Sequence, residues 1–171
     1  MMNSFEQLCQ QRRSVRKYTA QPIEQKKIDY LLRCALMAPS GHRTCPWEFV
    51  VVRDEQKLRA MQACRTYGSG MFETATAAIV IALDTTLSDT WTIDGAIAAE
   101  NILLAAAEQG IGACWCQVLN RDGAENLIRE LCAIPEDRKV LCIISLGYKN
   151  EEKKPFELDK LHYEKIHNEK Y

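Results

Sequence analysis

Residues 94–110 read DGAIAAENILLAAAEQG, and this stretch decides how the rest of the chain must be arranged. On a helix, its apolar residues would leave almost no polar face: Ala96, Ile97, Ala98, Ala99, Ile102, Leu103, Leu104, Ala105, Ala106 and Ala107. A helix that is apolar all round must be buried on all sides. Such burial is difficult within one chain of 171 residues, so we expect a partner subunit to cover part of the helix. The alternative is a central helix that lies wholly inside a monomer.

Strands are predicted on both sides of this helix by short runs rich in aromatic and β-branched residues. The three clearest runs are 47–52, 77–83 and 140–146, and a weaker fourth is 113–118. These runs have few polar positions, which indicates strands that are covered on both faces.

Further helices are predicted by apolar residues at helical spacing. Ser4 and Gln7 form a capping-box pattern at the start of a first helix, which fades near Arg12. A second helix follows Pro22 and stops at the small-residue loop Pro39-Ser40-Gly41. Two more are predicted over 55–64 and 122–131. The order of helices and strands indicates a mixed α/β arrangement within a single domain of residues 1–171.

The composition limits the classes of partner. The 22 basic and 23 acidic side chains give a net charge of -1, which provides no general attraction for nucleic acid or an anionic membrane. Any anion site must therefore be local. The sequence has no signal-peptide pattern and no apolar run of roughly 18 residues, so we expect a soluble, cytoplasmic protein. Four of the eight cysteines occupy apolar periodic segments, which indicates reduced, buried thiols: Cys34, Cys64, Cys132 and Cys142.

A local anion site is predicted where Arg12, Arg13, Ser14 and Arg16 place three guanidinium groups and a hydroxyl within five positions. Guanidinium groups hold phosphate through paired, charge-assisted hydrogen bonds. Lys153 and Lys154 could add charge to the same anion if the fold brings them near. A solvated charged face is the alternative.

Other reactive residues give weaker patterns. The Cys114-x-Cys116 spacing lacks the further ligands of a zinc site and the C-x-x-C spacing of a redox dithiol, so we predict no metal. The three histidines lack a partner motif for nucleophilic or metal catalysis.

Several stretches resemble the nitroreductase family, in the same order and at similar spacing along nearly the whole chain. They are RRSVRKY (12–18), APSGHRTCPWEFVVV (38–52), GIGACW (110–115), LGYKNEEKKPF (146–156) and LHYEK (161–165). The resemblance implies an α+β sandwich in which helices flank a mostly antiparallel central sheet. It also implies an intertwined homodimer with two FMN molecules, each in a cleft at the interface.

Carried over by position, the resemblance assigns residues to the FMN site. The phosphate and ribityl chain would be held by Arg12, Arg13, Ser14 and Arg16, with Lys153 and Lys154 completing the phosphate site. The partner subunit would supply Pro39, Ser40 and Gly41 beside the isoalloxazine ring. The segment whose backbone faces the flavin near N5 would be Trp115, Cys116 and Gln117. In the GIG sequence before it, Gly110 could allow close backbone approach or could be a helix C-cap.

The chain also departs from the family pattern. Arg43 and Cys45 replace the Asn and Gln that many members carry before the Pro-Trp pair. Arg43 could place a cation near the pyrimidine edge of the flavin or could point to solvent.

The resemblance implies an FMN-dependent oxidoreductase that transfers electrons from NADH or NADPH to a nitroaromatic, a quinone or a related conjugated acceptor. Since the flavin carries the chemistry, no catalytic side chain is expected. The alternatives are a flavin carrier or sensor without turnover, and a specialised flavin enzyme for enone reduction or dehalogenation.

Overall fold

The computed structural model describes residues 4–171, so the first three residues of the predicted domain lie outside the described residues. The helices are α1 (Phe5–Gln11), α2 (Gln25–Leu36), α3 (Glu55–Ala60), α4 (Trp91–Glu108) and α5 (Ala124–Cys132). The strands are β1 (Trp47–Val52), β2 (Ala77–Asp84), β3 (Ile111–Gln117) and β4 (Arg138–Tyr148). Short 3-10 turns cover Gly41–Arg43, Met61–Cys64, Gly70–Glu73, Leu158–Lys160 and Tyr163–Lys165.

Local sequence accounts for most of these bounds. The capping box at α1 is present, because the Ser4 hydroxyl accepts the Gln7 N–H and the Gln7 side chain accepts the Ser4 N–H. The predicted helix over 55–64 is divided, since the α-helical turn ends at Ala60 and a 3-10 turn follows. Gly110 has a φ of 71° and follows the C-cap Gln109, so it ends α4 as the left-handed residue after the cap.

The four strands form one antiparallel sheet in the order β1-β2-β4-β3. The predicted α+β class with an antiparallel sheet flanked by helices is therefore confirmed. Every residue of β2 from Ala77 to Leu83 is buried, so both faces of the sheet must be covered by helices. Its isoleucines Ile79 and Ile81 pack against α2 and α4, whereas Val80 points to the other face among residues of α3 and α5.

Helix α4 packs against the sheet through small residues. A Cβ atom on Gly95 would lie 2.8 Å from the side chains of Leu83 and Leu141, so only glycine allows the helix to approach this closely. The helix is nevertheless not enclosed by its own chain. Ile93 is 58% exposed, Ala96 is exposed, and Ile97 is half-buried. The alternative of a central helix wholly inside a monomer is therefore wrong for this chain.

The last residues form an extended arm. Phe156 donates its N–H to the carbonyl of Gln10 at 2.9 Å, and residues 157–171 are all exposed. Within residues 4–171, no helix is long and apolar enough to cross a membrane.

Candidate functional site

The arginine-bearing segment 12–18 is attached to the sheet beside β3 and β4. The N–H of Val15 donates to the carbonyl of Ala113 at 3.0 Å. A pair of glycines, Gly112 on β3 and Gly147 on β4, lie opposite each other and make room for the segment. A Cβ on Gly112 would lie 2.7 Å from Val15, and one on Gly147 would lie 2.6 Å from Tyr18.

Tyr18 anchors the end of this segment in the core. Its hydroxyl donates to the carbonyl of Val15 at 2.6 Å and lies 2.7 Å from Oγ of Ser145. Burial raises the pKa of Tyr18 above its usual value, with the hydrogen bond to Ser145 acting in the opposite direction. The phenol is therefore a neutral structural group at physiological pH.

Lys153 and Lys154 are brought to the arginine segment, as the sequence analysis required for a shared anion site. The Arg13 guanidinium donates to the carbonyl of Lys154, and its Cζ atom lies 4.4 Å from the centroid of the Phe156 ring. These contacts hold the segment after β4 against the segment after α1.

Glu151 places one carboxylate among these cations. It accepts the backbone N–H groups of Arg16 at 2.5 Å and Lys17 at 3.3 Å, and its other oxygen lies 2.8 Å from Nζ of Lys153. Desolvation opposes ionisation of this carboxyl, but the hydrogen bonds with Lys153 and with the Arg16 N–H lower its pKa overall. Glu151 therefore stays ionised and orders the two segments.

The two segments enclose an open cavity of about 770 Å³. Its lining consists of Gln11, Arg13, Val15, Lys149, Glu151, Glu152, Lys153, Lys154 and Pro155. Four cations against two carboxylates give this cavity a local positive charge in a chain that is nearly neutral overall. Lys149 was missed by the sequence analysis, although its position directly after β4 could have indicated that it shares an edge with Lys153.

The other predicted phosphate ligands are placed differently. Arg12 turns toward α4, where its Nε lies 3.7 Å from Glu100. Arg16 is exposed, and its guanidinium lies 3.5 Å from the carbonyl of Ser14. Only Arg13 of the three arginines lines the cavity within one chain.

The β3 segment presents two kinds of side chain on its two faces. Trp115 and Gln117 share one face, where the indole N–H donates to the Gln117 side chain at 3.0 Å. The Gln117 amide in turn donates to the carbonyl of Leu119 at 3.1 Å. Cys116 points to the opposite face and is fully buried, so only its backbone is available on the Trp115 side.

The loop that follows α2 has an unusual backbone. His42, Arg43 and Cys45 have φ values of 51°, 59° and 48°, a left-handed region that residues other than glycine rarely adopt. The Ser40 hydroxyl stabilises the loop by accepting the Cys45 N–H at 3.0 Å. Arg43 itself is exposed to solvent.

Asp94, which the sequence analysis did not select, fixes this loop to α4. The carboxylate is 2% exposed and accepts the Gly41 N–H at 3.0 Å. It also accepts the hydroxyls of Ser88 at 2.9 Å and Thr90 at 3.2 Å. An acidic residue in the first turn of a helix is common, which is why its sequence position alone did not indicate this role.

Within one chain, the loop after α2 and the arginine segment contact different parts of α4. The loop contacts the helix at Asp94, and Arg12 contacts it at Glu100. Six residues of α-helix separate these positions by about 9 Å along the axis. In residues 4–171, no group of three or more His, Cys, Asp or Glu side chains is arranged to hold a metal ion.

Comparison with known proteins gives consistent matches. The sequence model of the Nitroreductase family matches residues 9–65 and 62–148. A candidate NADH dehydrogenase/NAD(P)H nitroreductase of Archaeoglobus fulgidus is 41% identical over 165 residues, which is 94% of each chain. An NADPH-flavin oxidoreductase of Vibrio harveyi is 28% identical, over 90% of this chain and 70% of its own length.

Among solved structures, an FMN-dependent nitroreductase of Clostridium difficile R20291 superimposes with a TM-score of 0.94. It is 42% identical, and the match covers 98% of this chain and 100% of the other. The similarity therefore extends over the arginine segment, the loop after α2 and the C-terminal arm.

Proposed function

This chain belongs to the nitroreductase family, and on that premise we propose that it is an FMN-dependent oxidoreductase using NADH or NADPH. Its acceptors would be nitroaromatics, quinones or related conjugated molecules. The observation that carries the proposal is the cation-lined cavity between Arg13 and the segment 149–155. Its donors are the guanidinium and ammonium groups that bind a phosphate monoester best.

The residues at this cavity fit FMN. Arg13 and the lysines Lys153 and Lys154 would hold the phosphate, and Ser14, which forms a bridge with Ala113, would adjoin the ribityl chain. The bridge joins the arginine segment to β3, and we propose that the backbone of residues 115–117 on the same strand faces the ring. The chemistry that FMN supplies when bound is electron transfer from a reduced nicotinamide to an acceptor. The chain itself binds and orients the cofactor.

We further propose that two chains form a homodimer through the α1, α2 and α4 face. This face carries large apolar side chains that its own chain leaves exposed, including Phe5 (70%), Met37 (72%) and Ile93 (58%). An exposed apolar patch of this kind marks an interaction surface. A two-fold axis across α4 would cover the exposed side of the helix in both subunits. The loop after α2 would then come from one subunit and the cation cavity from the other.

The C-terminal arm supports an intertwined dimer. Beyond Phe156, its hydrogen bonds are local, yet it carries five large apolar side chains that are 41% to 108% exposed: Leu158, Leu161, Tyr163, Ile166 and Tyr171. An isolated arm gains nothing from these residues in water, whereas packing against a second subunit would bury them.

FMN binding is tested by titrating apoprotein with FMN and following the quenching of flavin fluorescence. We expect saturable binding, one FMN per chain, and bleaching of the bound flavin when NADH or NADPH is added without oxygen. Protein that takes up no FMN would overturn the proposal. Binding without saturable bleaching would indicate a carrier or sensor instead. A panel of acceptors, offered to the bleached protein, would distinguish a reductase of nitroaromatics or quinones from an enone reductase or a dehalogenase.

The dimer is tested by measuring mass in solution by light scattering for the whole chain, for Ile93→Glu and for a chain lacking residues 157–171. We expect a dimer for the whole chain and monomers that lose FMN affinity for both variants. Tyr67→Glu is the matched control, because Tyr67 is 84% exposed on the opposite side of the sheet. A monomeric whole chain that binds FMN normally would refute the dimer but not the FMN site.

We propose the cytoplasm as the compartment. The support is that all eight cysteines, each within residues 4–171, are free thiols. Reduced thiols in this number are typical of a reducing compartment. Thiol titration of protein from its native cells would show eight reactive groups after unfolding.

A further inference from the structure

Two cysteines that are far apart in sequence lie together beneath the sheet. Cys64 ends the 3-10 turn Met61–Cys64, and Cys116 lies on β3. Their Sγ atoms are 3.8 Å apart, and both side chains are buried, with exposures of 3% and 0%. The spacing of 52 residues explains why no dithiol motif is visible in the sequence.

The two thiols are chemically unequal. A hydrogen bond from Cys116 lowers the pKa of Cys64, with further help from the Arg65 guanidinium and with desolvation opposing it. The same hydrogen bond raises the pKa of Cys116, and burial raises it further. Cys64 is therefore the sulfur that carries thiolate character, and Cys116 holds the shared proton.

Cys64 is also the member of the pair that can be reached from solvent. It contributes to the lining of a surface depression of about 250 Å³, together with Arg65, Thr66, Tyr67, Arg121 and Asp122. The Arg65 guanidinium beside this depression favours the anionic form of the Cys64 sulfur at its floor. Cys116 lies behind Cys64 and has no exposed surface of its own.

We propose that Cys64 and Cys116 are a modification site at which a hydroperoxide forms an intramolecular disulfide. The distance between the sulfur atoms, the cationic depression and the arrangement of one reachable and one hidden thiol together support this assignment. The proposal is independent of FMN binding, because both side chains point away from the face of β3 that carries Trp115.

The chemistry balances with hydrogen peroxide as the oxidant. The Cys64 thiolate attacks one peroxide oxygen and breaks the O–O bond, which gives a sulfenic acid on Cys64 and releases hydroxide. Cys116 sulfur then attacks the Cys64 sulfur and displaces the hydroxyl group. The Cys116 proton leaves with that hydroxyl as water. In sum, two thiols and one peroxide give one disulfide and two waters.

The geometry requires a small local movement. A disulfide bond is about 2.05 Å long, so the two sulfur atoms must approach each other by about 1.8 Å. Cys64 can supply this movement, because it lies at the end of a short turn and the loop 65–69 follows it.

The experiment treats the purified protein with hydrogen peroxide, blocks free thiols with an alkylating reagent in denaturant, and digests it with trypsin. Cys64 is the only cysteine in the tryptic peptide 60–65, and Cys114 and Cys116 share the peptide 66–121. We expect these two peptides to be recovered as one linked species that dithiothreitol separates. Apart from any oxidation of the exposed Cys45, the intact protein should lose two hydrogen atoms and two of its eight alkylatable thiols at this step.

Three variants and the exposed Cys45, used as an internal reference, test whether Cys64 and Cys116 form the disulfide. Cys114→Ser should keep the link, whereas Cys64→Ser and Cys116→Ser should lose it. Cys45 is exposed and reports independently that peroxide has reacted with the protein. If Cys45 is fully oxidised in the unmodified chain while Cys64 and Cys116 still alkylate as free thiols, the proposal is wrong. A linked species that persists in Cys116→Ser would equally overturn the pairing.

Discussion

The phenol oxygen of Tyr18 lies 2.7 Å from Oγ of Ser145, in the buried centre of the sheet. The same phenol donates to the carbonyl of Val15, so one side chain joins the middle of the arginine segment to its end and holds that end against β4. The pairing of Gly112 with Gly147 provides the space for this contact. The position of the proposed phosphate site is therefore determined by a buried residue that does not line the cation cavity.

Replacing Tyr18 with Phe should destabilise the protein. The change removes the phenol donor to the Val15 carbonyl and one of the two hydrogen bonds of the Ser145 hydroxyl, which keeps its bond to the Cys114 carbonyl at 3.3 Å. An unsatisfied buried group costs about 1–3 kcal/mol. Urea unfolding followed by circular dichroism measures the free energy of unfolding. Tyr67→Phe is the control, because Tyr67 is 84% exposed and its hydroxyl should contribute less than about 0.5 kcal/mol. Equal midpoints for the two variants would contradict this role of Tyr18.

Replacing Arg13 with Ala should weaken FMN binding. A charge-assisted hydrogen bond contributes about 1.5–3 kcal/mol, so the Kd should rise by roughly 10- to 150-fold. Fluorescence titration with FMN measures the change, and increasing salt should reduce the difference. Arg121→Ala removes an exposed arginine away from the cavity and should bind like the unmodified chain. An unchanged Kd for Arg13→Ala would place the phosphate elsewhere.

Replacing Asp94 with Asn should release the loop that follows α2. The amide group cannot accept from Gly41, Ser88 and Thr90 as the carboxylate does, so at least one of these donors loses its partner. We expect a loss of about 1–3 kcal/mol in stability. Hydrogen exchange should also become faster at the Gly41 amide. Asp89→Asn, at an exposed site in the preceding turn, should change neither quantity.

Replacing Glu151 with Gln should remove part of the acid sensitivity of the fold. The pKa of Glu151 is lowered in the folded state from its usual 4.5, so its stabilising contribution is complete above that pH. The contribution is lost as the pH falls through the lower folded value. Unfolding free energies measured from about pH 6 to pH 3 should therefore decline less steeply in Glu151→Gln. Glu152→Gln, an exposed neighbour, should retain the steeper decline.

Much of the fold could be predicted because the relevant signals are local. Strand β1 was predicted over its full length from Trp47 to Val52, since aromatic and β-branched side chains favour a pleated, buried backbone. The capping box at Ser4 was predicted because its two hydrogen bonds join residues three positions apart. The sequence of α4, which leaves almost no polar face, likewise indicated that one chain alone would leave part of the helix exposed.

The site was less predictable, because its contacts join distant parts of the chain. Arg13 donates to the carbonyl of Lys154, which lies 141 positions later in the chain. The sequence shows that Arg12, Arg13 and Lys154 are cations. It does not show that Arg12 turns away from the cavity and toward Glu100. Asp94 gave no signal, since a carboxylate near a helix start is usually a local feature. The assignment of Pro39, Ser40 and Arg43 to the flavin stays a prediction.

The sequence by itself determined the family, the class of fold and which residues are cations that a phosphate could meet, because periodicity and residue type express local preferences. Tertiary structure alone decided which of those residues meet. It grouped Arg13 with Lys153 and Lys154, set Arg12 apart, and placed Cys64 against Cys116 across 52 residues. The physical reason is that such contacts follow from the packing of two helical layers on one sheet, which no short stretch of sequence contains.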